Sequence, residues 1–191
     1  MEEAVAEQLL PFCGHRLGVV YGKRGYAYVQ EMAAKFYHLA TKYSGVLVLT
    51  DFRDAKTNCV ADALQEYIWH RLPEPPRTFL CRFAVNELES WLLADYEGLA
   101  KFLSVATSRL PPQPEKEEFP KRTLVNLART SQKRRIREGI APPSGHRAAV
   151  GPDYMPLMRE FIADFWDIAA AMRRAPSLGR CVRRLRELSQ G

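Results

Sequence analysis

The chain has 191 residues, 47% of them hydrophobic, which is enough to bury a sizeable core and excludes a wholly disordered protein. No apolar run approaches the roughly 20 residues of a membrane helix, and residues 1–3 are acidic where a signal peptide is basic, so we expect a cytoplasmic protein without a membrane partner. The net charge is +6, and residues 121–191 hold 15 Lys and Arg against 6 Asp and Glu. This basic part suits a phosphate-rich partner such as nucleic acid, and the alternative is a solvated charged surface.

The first 85 residues alternate between two kinds of apolar pattern. Three segments have the apolar spacing of helices, and three short apolar runs between them are typical of strands buried on both faces. The helices are predicted at residues 2–10, 28–43 and 60–72, and the strands at residues 17–21, 46–50 and 78–85. Such alternation predicts an α/β fold, a mostly parallel sheet flanked by helices.

The remainder of the chain is predicted to be helical. One helix is expected from residue 87 to about residue 103, and residues 111–120 are a proline-rich, charged linker. We therefore divide the chain into an α/β core (1–110), the linker (111–120) and a basic helical extension (121–191). The extension has predicted helices at residues 122–130, 132–138, 155–165 and 178–188, and a loop at residues 141–151.

Acidic side chains follow two of the predicted strands. Asp51 comes directly after one strand, and Glu87 and Glu89 come after the next. Because ligands gather at the carboxyl ends of parallel strands, we expect these carboxylates to lie in one cluster. Carboxylates are ligands that Mg²⁺ prefers, so the sequence predicts a site for Mg²⁺ or Mn²⁺.

Each of these carboxylates also has a purely structural interpretation. Asp51 is a strong turn former. Asn86 with Glu89 fits a capping box, which would leave Glu87 as the better metal ligand because residues two apart do not share a helix face. Asp95 has room to share a face with Glu87, and it could equally be a solvated residue near the end of the helix.

Basic residues supply the candidate phosphate contacts. Lys23 and Arg24 lie between two glycines in a turn that could cradle a phosphate, although its spacing is not that of a P-loop and an ordinary turn is the simpler interpretation. Lys121 and Arg122 open the basic extension. The chain's cysteines are scattered without the paired spacing of zinc sites, and we expect packed thiols at Cys13, Cys59, Cys81 and Cys181.

Four blocks of this sequence resemble the bacterial DUF 4276 family, and the resemblance covers nearly the whole chain. The blocks are Leu49-Thr50-Asp51, Ala84-Val85-Asn86-Glu87-Leu88-Glu89-Ser90-Trp91-Leu92-Leu93-Ala94-Asp95, Pro120-Lys121-Arg122-Thr123-Leu124 and Pro176-Ser177-Leu178. The resemblance implies a Toprim-like fold, as in topoisomerases, primases and OLD-type nucleases. It also implies Mg²⁺-dependent phosphodiester chemistry, an AAA-type ATPase partner and a role in phage defence.

The chain departs from the Toprim pattern in two places. The glutamate that ends the first Toprim strand has no counterpart here, because residues 2–5 already look like the helix that follows that strand. The Asp-x-Asp motif reads Asp51-Phe52-Arg53, with Asp54 one residue late. Either the start is misplaced and Asp54 substitutes, or this member is catalytically impaired. The resemblance implies Asp51, Glu87 and Glu89 as catalytic residues and the same three with Asp54 as metal ligands.

Three functions are compatible with these features. The first is a Mg²⁺-dependent nuclease whose metal activates water. The second is a catalytically degenerate subunit that binds nucleic acid or an ATPase through its basic surface. The third is a structural subunit whose exposed sheet edge recruits a partner, and we expect self-association or an ATPase partner to matter more than intrinsic catalysis. Since two expected acidic positions are absent or altered, we expect weak metal binding and little intrinsic nuclease activity.

Overall fold

The computed structural model of the protein describes residues 1–22, 25–51, 76–84 and 86–189. The predicted helix at residues 60–72 and the candidate residues Lys23, Arg24 and Asp54 lie outside the described residues. The other candidate site residues lie within them.

The N-terminal half forms a small parallel sheet with helices on both of its faces. Strand β1 pairs with strand β2 in parallel, in a register that runs from Val46 opposite Phe79 to Asp51 opposite Ala84. This confirms a mixed α/β architecture with parallel strands, whereas the Toprim-like topology stays a prediction. The elements are helix α1 (Glu2–Phe12), helix α2 (Gly25–Lys42), strand β1 (Val46–Asp51) and strand β2 (Phe79–Ala84).

The two strands are apolar on both faces because each face is covered by a different set of helices. Successive side chains of a strand point to opposite faces. Val48 and Cys81 face α2 and pack with its residues Phe36 and Ala40. The other face, which we call the inner face, belongs to the main core. Its residues are Leu47, Leu49 and Asp51 of β1 and Leu80, Arg82 and Ala84 of β2.

The predicted strand at residues 17–21 is wrong. Residues 15–22 have no regular secondary structure, and Val19 is 73% exposed. A strand is stabilised by its neighbour more than by its own composition, and no described segment pairs with this one. Tyr21 instead packs its ring against Phe36 of α2, with ring centroids 6.0 Å apart.

The long helix predicted after β2 is two shorter helices. Helix α3 (Glu89–Leu93) ends before Asp95, and helix α4 (Tyr96–Leu103) begins after it. Asp95 caps α4, since its Oδ1 accepts a hydrogen bond from the backbone N–H of Gly98 at 3.0 Å, and its Oδ2 accepts one from the N–H of Asp167 at 2.8 Å. Asp95 is 1% exposed, so it is neither a solvated residue nor a partner of Glu87 on one helix face.

The residues after the predicted linker are helical, with helix boundaries a few residues from the predicted ones. A short helix that the sequence pattern did not predict precedes the last one. The helices are α5 (Pro120–Arg129), α6 (Arg134–Ile140), α7 (Tyr154–Asp164), α8 (Ile168–Met172) and α9 (Pro176–Ser189), and short 3-10 turns lie at Thr107–Arg109 and Pro114–Lys116.

One hydrophobic core joins the N-terminal and C-terminal parts of the chain. Helix α1 packs against α7, α3 against α5, and α9 against β2. The fully buried Trp91, Leu92 and Leu93 of α3 lie in this core together with residues from α1 and α9. The boundaries at residues 110 and 120 stay a prediction, and the buried residues are continuous across them. None of the described helices has the length and apolar character needed to cross a membrane.

Candidate functional site

The chain leaves β2 through a sharp turn that is pinned to a distant segment. Asn86 has a φ of 62°, a left-handed conformation that Asn tolerates better than most residues. Its side-chain amide donates to the backbone carbonyl of Glu117 at 2.6 Å. The capping box expected for Asn86 and Glu89 is therefore wrong, because α3 begins at Glu89 after Leu88 without a side-chain cap.

Asp51 meets the segment that carries the two glutamates. Its Oδ1 accepts a hydrogen bond from the backbone N–H of Leu88 at 2.8 Å. Leu88 lies between Glu87 and Glu89, so the carboxyl end of β1 sits directly against the turn that follows β2. The structure thus brings the three predicted carboxylates to one end of the sheet.

Both glutamates are buried and bonded to protein donors. Glu87 is 8% exposed, and its Oε2 accepts a hydrogen bond from the backbone N–H of Lys121 at 2.9 Å. Since Lys121 is in the first turn of α5, a helix without a side-chain cap of its own, Glu87 serves as a remote cap there. Glu89 is 3% exposed and its Oε1 accepts a hydrogen bond from the hydroxyl of Tyr154 at 2.7 Å.

Lys121 supplies the positive charge of this site. Its Nζ lies 3.5 Å from Oε1 of Glu89. Burial alone would lower the pKa of Lys121, but the negative charges of Glu89, Glu87 and Asp51 outweigh that effect and raise it. We call the group formed by Asp51, Glu87, Glu89, Lys121 and Tyr154 the carboxylate cluster.

The cluster is crowded with negative charge in spite of that lysine. Burial raises the pKa of Asp51 to about 7, and the carboxylates of Glu89 and Glu2 act in the same direction. The hydrogen bond from Leu88 and the charge of Lys121 oppose the shift without cancelling it. Burial also raises the pKa of Tyr154, followed by the charge of Glu89, so its hydroxyl remains a hydrogen-bond donor.

A divalent cation does not fit the cluster in this arrangement. Asp51, Glu87 and Glu89 each devote an oxygen to a protein donor, and Lys121 already holds a positive charge against them. In the part of the chain that the structure describes, no group of three or more His, Cys, Asp or Glu side chains is placed to hold a metal ion. We therefore derive no reaction step through Mg²⁺ or Mn²⁺.

The candidate phosphate contacts are separated by the structure. Lys121 points its ammonium at Glu89, whereas the neighbouring Arg122 is exposed on α5. Tyr154 is the member of the cluster that sequence reasoning missed. It stands 65 residues beyond Glu89, at the start of α7, and a single tyrosine in that position carries no recognisable motif.

The four sequence blocks that resemble DUF 4276 meet around α3. On one side of this helix, Asp51 and Lys121 reach the segment from Glu87 to Glu89. On the other side, the indole N–H of Trp91 donates to the hydroxyl of Ser177 at 2.7 Å. The buried helix α3 therefore connects β1, α5 and α9 through polar contacts.

No protein-family model, curated protein or solved structure matches the chain. The resemblance to DUF 4276 and the Toprim-like fold accordingly stay predictions, and a function can be inferred only from the geometry of the described residues.

Proposed function

We propose that this chain is a nucleic-acid-binding protein without phosphodiesterase activity, whose carboxylate cluster is closed by Lys121, a half-exposed lysine of the same chain. The observation that carries the proposal is the position of Lys121. Its ammonium lies 3.5 Å from the Glu89 carboxylate and is attracted by Glu87 and Asp51 as well. A fixed positive charge among these three carboxylates competes with any cation for them.

The hydrogen bonds of the cluster also argue against a bound metal ion. A catalytic Mg²⁺ needs carboxylate oxygens that are open to it and room for water and a phosphate oxygen. Here one oxygen of each of Asp51, Glu87 and Glu89 accepts from the N–H of Leu88, the N–H of Lys121 and the hydroxyl of Tyr154, respectively. A metal ion that took these oxygens would leave the three donors without their acceptors, which is costly in a buried site.

The basic surface supports nucleic acid as the partner. Helix α9 buries Leu178, Cys181, Val182 and Leu185 and leaves its arginines exposed. These exposed residues are Arg180, Arg183, Arg184 and Arg186. Arginines grouped on one side of a helix suit a phosphate backbone, since each phosphate contact releases condensed counterions.

The test is to measure binding and cleavage together. The purified chain is incubated with labelled single- and double-stranded nucleic acid in Mn²⁺, beside the Asp51→Ala variant. We expect binding that weakens steeply with salt and no cleavage. Replacing Arg180 and Arg183 together by alanine should lower the slope of log affinity against log salt by roughly 0.7–0.9 for each phosphate that is no longer neutralised. Binding that does not depend on salt would refute the proposal.

The second candidate is the Mg²⁺-dependent nuclease that the family resemblance implies. One observation favours it: the crowding of Asp51 by Glu89 and Glu2, which a bound cation would relieve. Cleavage that disappears in the Asp51→Ala variant would establish this candidate, whereas equal cleavage by both proteins would point to a contaminant. An AAA-type ATPase partner and self-association stay predictions, which size-exclusion chromatography with the purified components tests.

A further inference from the structure

Arg82 is a charged residue in an unusual position, on the inner face of the sheet. It stands opposite Leu49 in the β1–β2 register, between the core residues Leu80 and Ala84 of its own strand. Helix α9 packs against β2. The side chain of Arg82 is half-buried.

The guanidinium of Arg82 has few partners for its depth. Its Nη1 donates to the backbone carbonyl of the adjacent Cys81 at 2.7 Å. Its Nε is buried and has no hydrogen-bond partner among the described residues. A guanidinium carries five N–H donors, and a buried donor without an acceptor is destabilising, so this arrangement favours an additional acceptor.

A second guanidinium belongs to α9, the helix that packs against β2. Burial lowers the pKa of Arg82, and the positive charge of Arg184 lowers it further. Arg184 forms an ion pair through its Nη1 with Glu187, one turn further along the same helix. Glu187 also attracts Arg82, so one carboxylate serves two guanidinium groups and the local charge stays positive.

We propose that Arg82 and Arg184 together bind a phosphate group under the edge of α9, in exchange for the ion pair that Arg184 makes with Glu187. Two guanidinium groups offer planar, paired N–H donors, which match the oxygens of a phosphate better than those of a single carboxylate. A phosphate also carries more negative charge than the carboxylate of Glu187, so the exchange brings the net charge of the site closer to zero. The site deepens the nucleic-acid proposal, since Arg184 belongs to the basic surface of α9, but it can be tested separately because a free phosphate presents the same chemistry as a phosphate of nucleic acid.

The experiment follows the Nε–Hε signals of the arginines by NMR while inorganic phosphate is added to the full chain. We expect a saturable shift of the Arg82 signal. The Arg184→Ala variant should weaken phosphate binding by roughly tenfold, as expected when a charged hydrogen bond is removed. The matched control is Arg109→Ala, which removes an exposed arginine outside α9 and outside the basic extension, and it should leave the affinity unchanged within about twofold.

A second variant tests the exchange without removing any donor. Glu187→Gln removes the competing carboxylate at an exposed position and should tighten phosphate binding severalfold. The proposal is overturned if phosphate does not shift the Arg82 signal in a saturable way, or if Arg109→Ala weakens binding as much as Arg184→Ala.

Competition identifies the source of the phosphate. Displacement of inorganic phosphate by an oligonucleotide would assign the site to nucleic acid, and displacement by pyrophosphate alone would assign it to small phosphates; both support the site. Because free phosphate is the probe, the two proposals can be separated. If the chain binds phosphate here and binds no nucleic acid, the proposed nucleic-acid function is refuted and the phosphate site is supported.

Discussion

The inner face of the sheet carries two charged groups, Asp51 and Arg82, and their surroundings are opposite. Asp51 accepts a hydrogen bond from Leu88 and belongs to a cluster in which Lys121 and Tyr154 satisfy the glutamates. Arg82 has a buried Nε without a described partner, and the positive charge of Arg184 adds to the effect of burial in lowering its pKa. Buried charged groups that are bonded to the protein's own donors stabilise the fold, whereas one that lacks acceptors is suited to an external ligand.

This contrast reverses the expectation raised by the sequence. The acidic strand ends, which predicted the functional site, are closed by the protein's own donors. Arg82, in the middle of β2, has no functional signature in the sequence, because it lies in an otherwise apolar strand. Substitutions, pH and metal ions should each affect the two regions differently.

The largest expected effect is the loss of stability in Glu89→Ala. The change leaves the hydroxyl of Tyr154 without its acceptor and Lys121 without its nearest counter-charge. Leaving the buried hydroxyl without an acceptor costs about 1–3 kcal/mol, whereas the half-exposed Lys121 can be solvated. For a chain of this length the Tm should fall by roughly 2–12 °C, as thermal unfolding followed by circular dichroism would show.

The matched control for that variant is Glu118→Ala, which removes the same charge from an exposed position. Its Tm should change by no more than about 2 °C. Equal Tm values for the two variants would mean that the carboxylate cluster is not part of the structural core.

A smaller, pH-dependent effect is expected for Asp51→Asn. Burial and neighbouring carboxylates raise the folded-state pKa of Asp51 from 3.8 to about 7, so its contribution to stability is present below pH 4 and is lost as the pH rises through 7. Asparagine keeps the oxygen that accepts from Leu88 and cannot ionise. The variant should match the wild type near pH 4 and exceed its Tm by on the order of 5 °C at pH 8.

A Tm difference that is the same at both pH values would show that Asp51 is not crowded by negative charge. A wild-type Tm that exceeds the variant's at pH 8 would show that the carboxylate has a positive partner in the folded protein. The second result would favour the cation-binding alternative.

The smallest effect is expected from divalent metal ions. If Lys121 closes the cluster, 1 mM Mn²⁺ or Mg²⁺ should raise the wild-type Tm by less than about 1–2 °C, as for a Kd of 1 mM or weaker. EDTA should have no effect on the protein as purified. A large Mn²⁺-dependent rise in Tm that Asp51→Ala abolishes would instead indicate that the carboxylate cluster binds a metal ion and is the functional site.

Part of the fold was predictable because its signals are local. The strands at residues 46–50 and 78–85 are apolar on both faces, and the structure has β1 and β2 there. Residues 17–21 have a similar composition and are not a strand, because pairing depends on neighbours that the local sequence does not specify. The break at Asp95 was missed for a related reason: its cap is completed by the N–H of Asp167, 72 residues away.

For the carboxylate cluster, too, local signals were predictable from the sequence and long-range contacts were not. That Asp51 would meet Glu87 or Glu89 could be argued from strand ends in a parallel sheet. The presence of Lys121 and Tyr154 around these carboxylates could not be predicted. The two residues come from helices, 34 residues after Glu87 and 65 residues after Glu89. The identity of the residues that surround a carboxylate decides whether it binds a ligand, and the spacing of the carboxylates alone does not.

The contact between Trp91 and Ser177 has a consequence for how the protein is made. The two residues are 86 positions apart, and Ser177 opens the last helix. At about 5–20 residues per second, a ribosome synthesises Ser177 roughly 4–17 s after Trp91. During that interval α3 lacks the hydrogen-bonding partner of Trp91 and, until they are synthesised, the helices α5 and α8 that pack against it. Its apolar side chains are then available to chaperones or to other nascent copies. A synonymous change that slows translation between these codons should therefore lower the soluble yield without altering the purified protein.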